Sequence, residues 1–558
     1  MKPTAIIHAF LGGFPGFPLA WTIALAVSLQ PADADEPRIV NIYNFVRNSD
    51  YRLADSENIL FETTRREIEL IKPTGLPATW ALQYDALINP RYQKLFKEQL
   101  GTNDEIAAWW EIPRPLAEKA GLKWRGHDHE WDSTANVGFS PGYTPDERRK
   151  LVDVYMADFK AIFGCYPRTA GSWFIDEVTL EYMARRYRII ASCNCKDQVG
   201  TDGYTLWGGY WNQAYYPSRL NAYMPAQTKA GQINVPIFRM LGSDPIYEGH
   251  APGMWTLEPV YPRAGGSADW VKWFMKEMIQ QPSLAFAFAQ AGQENSFGWE
   301  AMKTGLTLQT KLLAEEARAG QIKVETLAQA GEWFRHRYSV TPPTAVVALD
   351  DWKRENRKTV WYDSRYYRLN ALWENGIFYI RDLHCFDENV VSPTHDRILT
   401  TTFLAYETLP VMDGALWSGT EKAGMWPVLL ASDGEKSPMT PEGPPVVKEL
   451  NRTDLGIIQP IRGGGTFTIV CRETNVTCTG VDGRGRPLHW AWDMVGGERQ
   501  TSAAKTVTSN GVAYLYSGMS YQLRLSPHSG SCQQLGNGAI RLSPNSSGKL
   551  VLNLDVTR

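Results

Sequence analysis

The alternation of apolar and polar positions divides the chain into two regions of different character. From Arg38 to about Tyr338, short apolar runs alternate with segments of helical spacing. Ile39 to Val46 reads as a strand, Glu57 to Ile71 as a helix, Pro77 to Gln83 as a strand, Tyr92 to Leu100 as a helix and Glu105 to Ile112 as a strand. Leu122 to Arg125, Val235 to Leu241 and Leu284 to Ala291 continue the strand series, around a long helix from Pro145 to Phe163. Amphipathic helices from Glu300 to Ala319 and Val324 to Tyr338 close it. The plainest βαβ unit runs from Gly171 to Cys195: an apolar run stops at Asp176 and Glu177, Val178, Leu180, Tyr182 and Met183 follow at helical spacing, and Ile189 starts a new strand. Such alternation predicts a mostly parallel sheet closed or curled by helices.

After Pro342 and Pro343 the helical spacing disappears. Val360 to Leu372, Gly376 to Leu383 and Phe467 to Cys471 read as strands between Gly, Asn and Ser turns, which predicts one or two β-sandwich-like domains over 341–558. The expected division is therefore a barrel-type region over 35–340 and a β-rich tail. Ahead of both, Lys2, the apolar run Leu19 to Leu29 and Ala32-Asp33-Ala34 form an export-signal pattern, with cleavage after Ala34 and a secreted or periplasmic product without a membrane span.

Composition changes the picture in three places. A formal net charge of −3 supplies no basic face for nucleic acid. The 21 Trp and 25 Tyr exceed what ordinary packing asks for, and aromatic faces suit stacking on sugar rings. Seven cysteines in 558 residues do not make a disulfide framework, although Cys471 and Cys478 flank a strand-turn-strand segment and are placed to pair.

The runs Leu76 to Trp80, Asp104 to Trp110, Gly142 to Arg149 and Thr179 to Ile189 resemble landmarks of the glycoside hydrolase/polysaccharide deacetylase barrel superfamily. Trp124-Arg125-Gly126, Ser192 to Asp197, Gly203 to Gly209 and Phe238 to Ile246 resemble more closely a largely uncharacterised bacterial family within it. The resemblance, over about 38–300, implies an irregular parallel (β/α)7-type barrel. It also implies a metal site built from an Asp and two His, but Asn44 to Arg47 lacks the Asp, and Trp109 and Pro113 fall where the His pair belongs. No metal and no cofactor is expected, and His127 and His129, two apart on a strand and so on one face, are the alternative ligands for a metal-dependent deacetylase.

What remains is a set of carboxylates and aromatics at predicted strand ends, where a parallel barrel gathers catalytic groups. Glycoside hydrolysis needs one carboxyl to protonate the leaving oxygen and another as nucleophile or base. The candidate acids are Asp176 and Glu294 as the working pair and Glu111 as third, with His127 or His129 as proton shuttle. Asp176 has a structural reading beside this one, as the cap of the helix that follows. Arg47, Arg125 and Arg239 are expected to orient substrate, Trp109, Trp173 and Trp207 to form stacking walls, and Asp244 and Asn295 to line the same rim. The expectation is an exported, metal-independent glycoside hydrolase acting on a carbohydrate; the alternatives are a deacetylase and a glycan-binding protein without catalysis.

Overall fold

The computed structural model describes residues 36–248 and 254–556, so the expected export signal lies outside the described residues. Seven parallel strands carry the first region: β1 (Arg38–Val46), β2 (Thr79–Leu82), β3 (Glu105–Trp109), β4 (Thr169–Gly171), β5 (Ala191–Asn194), β6 (Ile237–Arg239) and β7 (Ala287–Ala291). Their order in the sheet is β7-β1-β2-β3-β4-β5-β6, with the short antiparallel strand Ala214–Tyr215 outside β6. The two ends of this order approach each other. Phe238 of β6 and Phe288 of β7 meet at 4.9 Å, the Phe288 amide donates to Gln213 Oε1 at 2.8 Å, and the Leu241 amide to Gln290 Oε1 at 3.0 Å. Side chains thus span a gap that no backbone ladder fills, and the parallel sheet is nearly closed.

Strand β1 shows why both faces are apolar. Ile39, Tyr43 and Phe45 join an inner cluster with Ala81, Ala107, Trp109, Cys193, Phe238 and Phe288, while Val40, Ile42 and Val46 join the outer core beneath the helices. A parallel sheet covered on both sides is built in this way. The helix Pro145–Phe163 forms where expected, opened by a Thr144–Glu147 capping box and closed by Gly164 in the left-handed region.

Three local expectations are corrected. Leu122 to Arg125 is not a strand: the Leu122 amide closes onto Ala117 O, and Arg125 reaches Asn136 O and Gly142 O. Val360 to Leu372 is a hairpin, Lys358–Asp363 against Tyr367–Glu374, because the Ser364 hydroxyl accepts from the Tyr366 amide at 3.1 Å and turns the chain. Val324 to Tyr338 divides into a short strand, Lys323–Glu325, beside β1 and the helix Leu327–Arg337, capped by Thr326.

From Thr344 onward antiparallel sheets dominate, the two largest having ten and eight strands. Phe467 packs edge-on against Trp490 at 4.7 Å and Trp492 at 5.5 Å, joining these sheets. A third, small sheet ties the regions together, since Leu404–Tyr406 pairs in parallel with Tyr204–Leu206. Cys471 and Cys478 are buried free thiols: across the hairpin Cys471 faces Val476 and Cys478 faces Ile469, so they are not opposite one another. Among the described residues no helix is long and apolar enough to cross a membrane.

Candidate active site

Because the seven strands run parallel, the residues following their C-terminal ends collect on one rim. Arg47 follows β1, Gln83 follows β2, Glu111 follows β3, Lys196 follows β5, and Glu258 and Glu294 lie in the segments after β6 and β7.

Arg47, 2% exposed, is the hub. Its Nε and Nη2 donate to the two oxygens of Glu111 at 3.2 and 3.0 Å, and its Nη1 lies 3.2 Å from Glu294 Oε2 in an ion pair without hydrogen-bond alignment. The ring of Trp131 covers the guanidinium at 4.3 Å. Burial by itself would weaken the cation, but Glu111 and Glu294 outweigh it and hold its pKa above the usual arginine value. Gln83 also donates to Glu111, so that carboxylate is occupied on both oxygens. Asn295 fixes the backbone of the hub, accepting from the Arg47 amide at 3.0 Å and donating to the Arg47 carbonyl at 2.8 Å.

Gly292 explains how β7 delivers Glu294. Its φ of +97° turns the chain, and a Cβ there would lie 2.5 Å from Tyr43 O, so only glycine fits. Burial raises the Glu294 pKa, Arg47, Ser296 and Arg52 oppose the rise, and the charge of Glu111 adds to it. The neighbouring Gln293 donates to Glu258 at 3.4 Å. Glu258 is pushed up to about 7, chiefly by burial and further by the charge of Glu294, against the pull of the Thr256 hydroxyl, Lys196 and Gln293. Lys196 is itself buried and donates to Glu248 Oε1 at 2.5 Å. Two carboxyls from neighbouring loops therefore differ in environment: Glu294 faces a guanidinium, whereas Glu258 is buried with neutral donors and a more distant ammonium.

Of the residues singled out in the sequence, the structure brings Arg47, Glu111, Glu294 and Asn295 together. Trp109 is fully buried, stacked on Phe45 at 4.2 Å, and supports the rim from below; Trp173, edge-on to both, is partly exposed. Asp176 is placed apart. It is fully buried, caps the helix Glu177–Tyr187, pairs with Arg148 Nη1 at 2.9 Å and accepts from Ser140 and Thr179, contacts that lower its pKa against the effect of burial. Its lone pairs are spent on structure, which corrects its expected place in a working pair with Glu294.

Asp244 is likewise committed, accepting from the Ile246 and Tyr247 amides and from the indoles of Trp270 and Trp352. Arg239 pairs with buried Asp197 at 2.5 Å, and Trp207 donates to Asp413 at 2.7 Å; both belong to a network joining the parallel sheet to the tail through Arg368 and Asp382. Arg125 is an exposed loop tie. His127 and His129 lie on an exposed loop and not on a strand; His127 approaches Asp132 at 3.8 Å and His129 stacks on Tyr51 at 5.3 Å. Among the described residues no three His, Cys, Asp or Glu are arranged to hold a metal ion.

Sequence reasoning missed Glu258, Lys196, Glu248 and the pair Asp197–Arg368. Lys196 and Asp197 were inside the Ser192 to Asp197 run that carries the resemblance; Glu258 had no signal of its own.

No family model matches the chain, and no curated protein matches it. Solved structures do. One from Parabacteroides distasonis, described provisionally as a glycoside hydrolase/deacetylase, aligns at 15% identity over 65% of this chain and 88% of its own, with a TM-score of 0.48. A family 4 acetyl xylan esterase from Clostridium thermocellum, solved with a cobalt ion, aligns at 10% identity over 53% and 91%, with a TM-score of 0.26. A Xyl-CE4 domain of a multidomain xylanase from the hindgut metagenome of Trinervitermes trinervoides aligns at 8% over 54% and 91%, with a TM-score of 0.25. With these identities and TM-scores, function has to be argued from the residues.

Proposed function

We propose that the protein is a carbohydrate-active hydrolase, specifically a glycoside hydrolase, working at the strand-end cluster with Glu258 as general acid and Glu294 as nucleophile or base. The observation that carries this reading is the different surroundings of two neighbouring carboxyls: burial raises both, but Glu258 is pushed up to about 7, while Glu294 lies 3.2 Å from the Arg47 guanidinium, which opposes its rise. A carboxyl that stays protonated near neutrality can give its proton to a leaving oxygen, and a guanidinium beside a second carboxyl pulls it toward the ionised form that attacks carbon or activates water. Arg47 would position Glu294 and share its charge with Glu111. Trp173, partly exposed beside Phe45 and Trp109, would offer its ring to a sugar. In this reading the nearly closed sheet is an irregular (β/α)7-type barrel, the tail a pair of β-sandwich-like units over 341–558, and the product an exported one.

The test is a screen of the purified chain on polysaccharides and aryl glycosides for new reducing ends, followed by E258Q and E294Q on the substrate found. Each amide should lower turnover by roughly 10²-fold or more. Release of acetate without chain cleavage would assign deacetylation instead, and full activity in both variants would remove the pair from the chemistry.

A further inference from the structure

The chain carries a net charge of −3, yet one concave part of its surface is strongly basic. An open cavity of about 530 Å³ is lined by Arg185, Arg188, Arg219 and Arg335, with Glu181 as the one carboxylate in its wall among the described residues. Arg188, Ile189 and Ile190 of that wall run directly into β5, and Ile233 and Asn234 precede β6. The cavity therefore lies at the N-terminal ends of the strands, away from the rim that carries Glu258 and Glu294. Arg185 and Arg188 come from the end of the helix Glu177–Tyr187, Arg219 from the loop ahead of β6, and Arg335 from the helix Leu327–Arg337.

Glu181 cannot balance these charges. Its Oε1 accepts from Arg219 Nη1, and Arg185 Nη1 stands 3.9 Å from the same oxygen, so two guanidiniums converge on one point of the wall. Arg185 and Arg219 still keep 80% and 44% of their side chains exposed. Among the described residues neither Arg188 nor Arg335 meets a carboxylate, and Arg335 Nε has no hydrogen-bond partner. Arg188 is held at φ +62°, in the left-handed region where glycine is the usual residue at a helix end. The turn by itself would favour glycine, so the arginine brings a charge that the turn does not ask for. The excess is felt by a neighbour: Lys229, which donates to Asn234 Oδ1 at 3.0 Å, has its pKa lowered by burial and then by the charge of Arg335.

A cavity of this volume is about 10 Å across, close to the Debye length of about 8–10 Å, so the charges around it act together on one bound ion. We infer that the cavity binds a tetrahedral oxyanion, sulfate or phosphate, of the kind that acidic saccharides carry as esters, held by the joint field of Arg185, Arg188, Arg219 and Arg335. Such an ion supplies the negative charge that four cations against one carboxylate leave unmatched, and arginine is the cation best suited to its oxygens. That a saccharide bears the group rests on the proposed function; that the cavity takes an oxyanion does not, because none of these residues belongs to the strand-end cluster.

Isothermal titration of the full chain with sodium sulfate, sodium phosphate and dextran sulfate tests it, with sodium chloride at matched ionic strength and neutral dextran as controls. At least one of the three should bind saturably, neither control should, and the affinity should fall as salt is added. R188N, whose asparagine tolerates the left-handed backbone, should keep the wild-type thermal midpoint and weaken binding severalfold. R335Q should act in the same direction, and the double variant should lose about tenfold or more. R66Q, at an exposed position on the helix Ser56–Ile71 outside the cavity, should leave the affinity unchanged. Tighter binding of dextran sulfate than of the free ions marks an ester on a saccharide, and binding of the free ions alone marks an inorganic oxyanion; either supports the site. Absence of saturable binding for all three, an affinity unchanged in the double variant, or an equal loss in R66Q overturns the inference.

Discussion

Arg47 and Glu111 are joined by two parallel contacts, Nε to Oε2 at 3.2 Å and Nη2 to Oε1 at 3.0 Å, while the remaining Arg47 nitrogen stands 3.2 Å from Glu294. One guanidinium thus neutralises two buried carboxylates from β3 and β7. R47M should leave both uncompensated and destabilise the fold by about 3–5 kcal/mol, the usual cost of breaking a buried pair from one side. R47K should retain more stability but lose turnover, because a point charge cannot hold both acids in place. Urea denaturation of the two variants beside their rates checks this.

Asp176 predicts a different pattern. D176N should destabilise by about 3–5 kcal/mol, because it strands buried Arg148, yet leave the turnover of the folded fraction unchanged. Its folded pKa lies below the ordinary value of 3.8, so the stability it contributes is complete at neutral pH and is lost as pH falls through the folded value. Glu258 acts in the opposite sense. Its rise from 4.5 to about 7 means that the folded state binds the proton more tightly, so stability is lost as pH climbs through that interval. Chemical denaturation between pH 3 and 8 separates the two, and each slope should vanish in the matching amide variant.

The tail should not be dispensable. Ending the chain near residue 340 removes Arg368 from Asp197, takes the Thr394 and Arg397 carbonyls from Arg148, and strips the strand paired with Tyr204–Leu206. The fragment should be insoluble or lack a cooperative thermal transition. A soluble fragment with a sharp transition would contradict the described interface.

Thiol titration has a simple expectation. Cys165 is exposed, and the other six cysteines are buried and free. One thiol should react in native protein and seven in denaturant; five in denaturant would mean a bond that the structure does not contain.

The regular parts of this fold were legible because periodicity is local. β1 and the Pro145–Phe163 helix follow from apolar spacing and capping residues alone, and the strand ends then indicated Arg47, Glu111 and Glu294. Asp176 was legible as a helix cap, but whether its second oxygen was free depended on Arg148 and Ser140, 28 and 36 positions away. Glu258 was not legible. It lies in an irregular segment, and its raised pKa is made by burial and by the charge of Glu294, which follows a different strand. Leu122 to Arg125 misled for the converse reason: an apolar-looking run was used as a loop.

The most direct measurement is the pH dependence of kcat/KM on the identified substrate, for wild type and E258Q. The account predicts that wild-type activity falls as pH rises through about 7, as Glu258 loses the proton it must donate, and that this alkaline limb disappears from the residual activity of E258Q. An alkaline limb that persists unchanged in E258Q would contradict Glu258 as the acid and remove the central claim.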